Sequence, residues 1–371
     1  MPITQSHVRF CTTSDGVRIA YSAAGNGPTI VRAPHWCTHL EHDWQSPILS
    51  RFLKELSQSR HLLRFDQRGC GLSDRDPPNV SLEGWLQDLE AVTDAAEADQ
   101  FAIFGMSQGA AVAVEYAARR PDRVTHLLLL GGYVRGKLRR VATAKEIEDA
   151  EMQLKIVEVG WDRADPSYRQ AFAMQYMPYA STQQTLALAE LMKVSASGKD
   201  AARIMRGFFE IDVTDAAKRV NCPTLVLHAR WDVRCPFDEG RLLASLIPGA
   251  RFVPLETRNH VLLQDEPAFN TFVEEMNAFL PSATNMKSPL ASLSKGAAGI
   301  AEWVSKLTAR ERAILEHLAR GADNAQIAAH LGLSEKTIRN YMTRVFEKLG
   351  VENRGRAIVL AREAGLGEQK S

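Results

Sequence analysis

The sequence predicts an open α/β sheet carrying a helical insertion and followed by a small all-α unit, and three observations lead there. Short apolar runs alternate with helical periodicities from residue 8 to about 280. Those runs vanish between about 134 and 220, where helical spacing replaces them. A stretch rich in Pro, Ser, Gly and Ala at 281–299 then precedes a purely helical pattern from 307 to about 365. A chain of 371 residues, 45% of them apolar, can bury two or three separate cores, which excludes disorder throughout.

The strand candidates are 17–21, 29–31, 62–65, 101–104, 124–130, 224–227 and 251–255. Most are continuous rather than alternating, as expected where helices cover both faces of a parallel sheet. In the insertion Tyr168, Phe172, Met174, Tyr176, Met177, Phe208 and Phe209 are interleaved among charges. It reads as a helical cap whose large apolar residues are core by default, some of them lining a cavity.

One strand runs into a chemical motif. Phe101-Ala-Ile-Phe-Gly105-Met106-Ser107-Gln108-Gly109 is an apolar strand ending in G-x-S-x-G, and the helical Ala110-Ala-Val-Ala-Val-Glu-Tyr follows it. Such a turn strains the serine and exposes its hydroxyl, while side chains at the flanking glycines would collide with neighbouring backbone. Downstream, Leu225-Val-Leu-His-Ala-Arg-Trp-Asp232 places an aspartate just past a strand, and Asn259-His260-Val261 supplies a histidine. Ser107 is thus the candidate nucleophile, His260 its base, and Asp232 the group that fixes the imidazole tautomer.

The elbow and this chain order resemble the α/β-hydrolase fold family, and Arg64-Phe-Asp-Gln-Arg-Gly-Cys-Gly-Leu-Ser-Asp74 is similar to its R-G-x-G-x-S loop. The resemblance implies an α/β-hydrolase fold with a helical cap. It also implies an oxyanion hole made by the backbone amides of Cys37 and Gln108, with Trp36 and Met106 at the ligand pocket. One departure stands out: the family's usual His-Gly is His35-Trp36 here. Trp36 either walls the pocket or leaves the oxyanion hole misaligned. The segment His35-Trp-Cys-Thr-His-Leu-Glu-His-Asp-Trp44 also resembles hydrolase-like domains fused to bacterial regulatory modules, which implies sensing.

The 281–300 segment reads as a linker, since it holds too little periodic apolar surface to order itself. It divides a body at 1–280, with its cap at about 134–220, from a second unit at 301–371. In that unit Thr308-Ala-Arg-Glu311 and Asp323-Asn-Ala-Gln326 are capping-box patterns opening two helices. Gly332 makes a sharp stop, and Ser334 caps a third helix with Ile338, Met342, Val345 and Phe346 on one face. Its other face carries Lys336, Thr337, Arg339, Asn340, Thr343, Arg344 and Lys348.

Two short helices, a tight turn and a basic third helix make a helix-turn-helix arrangement. Leu307-Thr-Ala-Arg-Glu311, Ile327-Ala-Ala-His-Leu331, Leu333-Ser-Glu-Lys-Thr-Ile338 and Lys348-Leu-Gly-Val351 resemble the LuxR/NarL-type DNA-binding domain, an all-α four-helix fold. The resemblance implies that Arg339, Asn340 and Thr343 read base edges while Lys336, Thr337, Arg344 and Lys348 hold phosphates. It further implies pairing through a last helix at 357–364.

Charge supports this division. The whole chain has 45 basic and 44 acidic residues, a balance that would normally argue against nucleic acid. Yet 336–356 holds six basic residues against two acidic ones, so a basic helix hides in a near-neutral total. The five cysteines, Cys11, Cys37, Cys70, Cys222 and Cys235, form no C-x-x-C pair, and the first residues lack a signal-peptide pattern. A reduced, cytoplasmic protein outside the membrane is expected. His7, His61, His126 and His228 read as structural hydrogen-bonders. His35, His39 and His42 fit no zinc spacing, so neither a metal nor a cofactor is expected.

These readings converge on a regulator of double-stranded promoter DNA, homodimeric, whose hydrolase-like domain senses a small apolar ligand and can hydrolyse an apolar ester or lactone. The rival is a serine hydrolase (an esterase, lactonase or C–C hydrolase) whose DNA-binding tail is auxiliary. A DNA-binding protein with an inert hydrolase body is the third reading.

Overall fold

The computed structural model describes residues 7–140, 143–282 and 307–349, together with 357, 358, 361 and 366, without the side chains of 339, 340, 343, 347 and 349. The chain divides into two compact units, Met1–Thr284 and Asn285–Ser371. Most of the linker expected at 281–300 lies outside the described residues.

The first unit is built on eight strands: β1 (Arg9–Thr12), β2 (Arg18–Ala24), β3 (Thr29–Ala33), β4 (His61–Phe65), β5 (Phe101–Met106), β6 (Val124–Leu130), β7 (Thr224–Ala229) and β8 (Arg251–Leu255). They form one sheet in the order β1-β2-β4-β3-β5-β6-β7-β8. From β4 through β8 the pairings are parallel, whereas β1 with β2 and β2 with β4 are antiparallel. Every residue of β5 and β7 is buried, which accounts for their unbroken apolar runs. The edge strand β1 reads Arg-Phe-Cys-Thr and is mostly exposed, so it gives no apolar signal.

Helices α1 (His42–Gln45), α2 (Ser50–Ser57), α3 (Leu82–Ala95) and α4 (Gln108–Arg119) belong to the first half of the unit. Four more fill the connection from β6 to β7: α5 (Ala144–Gly160), α6 (Ser167–Tyr176), α7 (Thr182–Ser195) and α8 (Gly198–Phe209). Capping boxes at Thr143 with Glu146 and at Ser181 with Gln184 open α5 and α7, and Ser197 caps α8. The two stems of this insertion meet at an antiparallel bridge between Arg135 and Asp212. Beside it Gly136 donates to the Ile211 carbonyl at 2.7 Å. A Cβ there would strike the carbonyls of Phe208 and Phe209, so only glycine permits the approach. The short α9 (Thr214–Ala217) then leads to β7, and α10 (Phe237–Leu246) and α11 (Pro267–Phe279) complete the unit.

The second unit contains α12 (Ala309–Ala319), α13 (Asn324–Leu331) and α14 (Glu335–Leu349). Both expected capping boxes form, Thr308 with Glu311 and Asp323 with Gln326. Gly332 ends α13 in the left-handed conformation at φ 64°, which a side chain would disfavour. The small core joins Ile314, Leu315 and Leu318 to Ile327, Ile338, Met342 and Val345.

Candidate active site and nucleic-acid interface

β5 lies in the middle of the sheet, and its carboxyl end delivers Ser107 to the edge where open α/β sheets place their ligands. Ser107 sits at φ 53°, ψ −121°, a conformation that costs about 1–3 kcal/mol for a residue with a side chain. Its amide donates to the Leu130 carbonyl at 2.9 Å, which pins the turn to β6. A Cβ on Gly105 would lie 2.6 Å from the Gly109 carbonyl, and one on Gly109 would lie 2.8 Å from that of Pro34. Both glycines of the motif are therefore demanded by backbone approach.

Asp232 follows β7 and is buried, as is His260. Its Oδ2 stands 2.6 Å from His260 Nδ1, and its Oδ1 accepts the amides of Arg234 and Cys235 at 2.8 and 2.9 Å. Burial pushes the Asp232 carboxyl up, but the charge and hydrogen bond of His260 outweigh it and hold the group below the usual carboxylate value. With Nδ1–H given to Asp232, Nε2 of His260 is left as an acceptor. That atom is buried and has no hydrogen-bond partner among the described residues. The cap supports the histidine directly, because the Tyr176 carbonyl accepts the amides of His260 and Val261 at 2.8 and 3.1 Å. His228 lies below, with Nε2 2.9 Å from the Cys235 carbonyl and 3.8 Å from Asp232 Oδ2.

Gln108 opens α4, so its amide has no acceptor within the helix. Cys37 adopts φ 65°, and burial drives its thiol well above the ordinary range, which removes it as a thiolate nucleophile. The loop carrying it is held by charge from below. Arg32 Nη1 lies 3.2 Å and Arg64 Nη1 3.6 Å from Asp43 Oδ2, and Arg64 Nη2 donates to the Leu40 carbonyl at 2.7 Å. Arg32 Nη2 reaches His35 Nε2 at 2.5 Å, so Nδ1 of His35 carries the proton and donates to the Trp36 carbonyl at 2.8 Å. Burial and the Arg32 charge bring His35 down to about 4.

Trp36, which stands where the family has glycine, turns its indole into the cap. Nε1 donates to the Ala201 carbonyl at 3.3 Å. Ring centres of Trp161, Tyr176, Phe208 and Phe172 lie 5.0, 5.8, 5.8 and 6.0 Å away. The bulky residue thus joins loop to cap.

Two cavities meet at Ser107, Tyr176 and His260. The first, about 40 Å³, is apolar and is walled by Trp36, Met106, Leu188, Leu191, Met192 and Val261. The second, about 240 Å³, is polar, with Lys137, Arg140, Asp149, Gln153, Gln175 and Arg234 on its walls. Sequence reasoning left Leu188, Leu191, Met192, Arg140 and Arg234 unassigned. Their spacing on the cap is that of ordinary helix residues, and only the folding of the cap over β5 collects them.

On α14, Lys336 and Arg344 are exposed. The Thr337 hydroxyl lies 2.8 Å from Ser334 Oγ and belongs to the helix cap. Lys348 Nζ lies 2.9 and 2.7 Å from the two Glu311 carboxylate oxygens, which ties the end of α14 to the start of α12. The side chains of Arg339, Asn340 and Thr343, and most of the last helix expected at 357–364, lie outside the described residues. Among the described residues no helix is long and apolar enough to cross a membrane.

An eight-stranded, mostly parallel sheet with a serine elbow and a helical cap defines an α/β-hydrolase-fold protein. The chain belongs to the alpha/beta hydrolase fold family, whose model matches residues 41–267, and it carries at 305–361 a DNA-binding domain of the family of bacterial regulatory proteins, luxR family. It is 23% identical over 272 residues to the pyrrolizixenacetamide deacetylase of Xenorhabdus hominickii, covering 71% of this chain and 95% of that one. At the other end it is 45% identical over 69 residues to the DNA-binding transcriptional activator DevR/DosR of Mycobacterium tuberculosis, covering 19% of this chain and 32% of the activator. The fold is that of an esterase from Exiguobacterium antarcticum, with a TM-score of 0.63 at 19% identity over 74% of this chain and 99% of the esterase. Fusion of the two domains supports a transcription regulator with a hydrolase-like domain.

Proposed function

We propose that the first unit binds a small carbonyl compound at Ser107 and that occupancy of its cavity governs how the second unit, as a homodimer, engages promoter DNA. One observation carries this reading: the Asp232–His260 bond of 2.6 Å leaves a partnerless Nε2 on the same cavity wall as the strained Ser107. In such an arrangement Ser107 Oγ attacks the carbonyl and passes its proton to His260 Nε2. The amides of Cys37 and Gln108 receive the oxyanion, and its collapse breaks the bond to the leaving group, which takes the proton from His260 and departs. Water, deprotonated by the histidine thus made neutral again, then attacks the acyl carbon, and Ser107 leaves with the returned proton. Turnover and sensing are compatible, since a sensor can cleave its effector.

The Tyr176 carbonyl supports the coupling, because it links cap helix α6 to the histidine loop. A ligand that favours one cap position over another shifts that equilibrium, and only such a preference transmits a signal. Five free thiols accord with a reducing, cytoplasmic setting.

The deciding experiment is promoter binding by the full chain and by Ser107→Ala, with and without a candidate ester. A ligand response that persists in Ser107→Ala makes binding the signal, and one that disappears while ligand affinity persists makes chemistry the signal. Ester turnover with no effect on DNA binding under any condition would leave the hydrolase with an auxiliary tail.

A further inference from the structure

The polar cavity beside Ser107 and His260 is lined by two arginines that have no ion-pair partner among the described residues. Asp149 on its wall is already paired with Lys137. Glu239 pairs with Arg135 at 2.6 Å, Asp232 is engaged by His260, and Glu146 caps α5 through the Thr143 amide. Among the described residues no carboxylate forms an ion pair with Arg140 or Arg234, and both line this cavity.

Arg234 is nevertheless held firmly. Nη1 donates to Gln175 Oε1 at 2.8 Å and to Gln153 Oε1 at 3.4 Å, and Nη2 donates to the Tyr176 hydroxyl at 3.1 Å. Its guanidinium carbon lies 4.6 Å from the centre of the Tyr176 ring. These partners are all neutral, so they orient the fork without cancelling its charge. Its Nε is buried with no hydrogen-bond partner among the described residues. Arg140 is placed in the same manner, with Nε donating to the Arg135 carbonyl at 3.1 Å and its guanidinium 6.0 Å from the Tyr133 ring centre. A half-buried guanidinium without a counter-charge is unfavourable unless something else supplies one.

We infer that this cavity is an anion subsite, in which Arg234 and Arg140 take the carboxylate of a ligand whose apolar part occupies the neighbouring apolar cavity. The inference rests on the reading that the space at Ser107 receives a small ligand, and it narrows the class. The ligand is an amphiphilic acid with a reactive carbonyl between its apolar end and its carboxylate. The two cavities meet at Ser107 and His260, so a molecule spanning both presents its middle to the nucleophile. Planar guanidinium groups bind carboxylates through paired N–H donors, which a lysine does not reproduce.

The test is calorimetric binding to the full chain of straight-chain alkanoates with four to eight carbons, whose slender tails suit the small apolar cavity, against the matching primary amides. The acids are expected to bind about tenfold or more tightly than the amides, the ordinary gain from a charge-assisted pair. Arg140→Gln and Arg234→Gln should each reduce that ratio, and the double variant should bring it near one. Arg140→Gln removes one backbone hydrogen bond and one distant ring contact and serves if Arg234→Gln fails to fold, and Arg234→Lys should restore part of the preference. Equal affinity for acid and amide in the wild type overturns the anion subsite while leaving the ligand-binding reading intact. So does a preference that survives the double variant. Binding of neither series overturns both.

Discussion

Asp232 Oδ2 and His260 Nδ1 lie 2.6 Å apart in the interior, although 28 residues and a strand separate them in the chain. The bond selects the tautomer that leaves Nε2 as an acceptor, on a residue that lines the same cavities as Ser107. Asp232→Asn presents an amide that favours the opposite tautomer. Hydrolysis of an activated p-nitrophenyl ester by that variant should fall about a thousand- to ten-thousand-fold with the far-ultraviolet spectrum unchanged. A loss under tenfold removes the triad from the mechanism.

Ser107 is strained by its place on the elbow, and glycine tolerates φ 53°. Relief of about 1–3 kcal/mol exceeds the ~0.5–1 kcal/mol that glycine's extra freedom in the unfolded chain costs. Ser107→Gly should therefore raise the urea midpoint of the first unit while abolishing turnover. An unchanged or lower midpoint argues that the elbow stores no strain.

His35 has its folded value depressed to about 4 by burial and Arg32. For a depressed group the stabilisation is complete above the unfolded value, ~6.5 for histidine, and is lost as pH falls towards the folded one. Melting temperature should drop between about pH 6.5 and 4, and His35→Gln should flatten that part of the profile. Parallel profiles for the two proteins would show that His35 stays neutral for no energetic reason.

Lys336 and Lys348 were both expected to hold phosphates, yet they are placed differently. Lys336 is exposed, whereas Lys348 is bonded to both oxygens of Glu311. Lys336→Ala should reduce the salt dependence of DNA binding by about one counterion. Lys348→Met should chiefly lower the melting temperature of the second unit and leave the salt slope near its original value. A salt slope reduced equally by both variants would return Lys348 to the phosphate set.

Trp36 packs against four aromatic rings of the cap. Trp36→Ala should cost about 3–5 kcal/mol, as expected for truncating a buried aromatic residue. Hydrogen exchange should accelerate in α6 and α8 more than in β5. Protection lost evenly across the unit would deny Trp36 its role as the joint between loop and cap.

Sequence pattern revealed most of the sheet, because strands such as β5 and β7 are buried on both faces and must be apolar throughout. Ser107, Asp232 and His260 were legible because an elbow needs glycines and a triad needs three residue types in order. Two features were not. The edge strand β1 escapes because Arg9, Phe10 and Thr12 face solvent and no alternation marks them. Arg140 and Arg234 escape because, 94 residues apart in sequence, each looks like an ordinary surface charge until the cap brings both to one cavity. Trp36 was seen as a departure, but its partners are spread over α6, α8 and the end of α5, which only packing assembles.

The bridge between Arg135 and Asp212 has a consequence for how such a protein can diversify. It closes the insertion at its base, so everything between those residues leaves and re-enters the body through a single paired gateway. Ser107 precedes the gateway, and Asp232 and His260 follow it. The cap is therefore a cassette: another helical segment with matching ends could be exchanged for it, recasting the cavity walls, provided it returned a carbonyl where Tyr176 now holds the His260 loop.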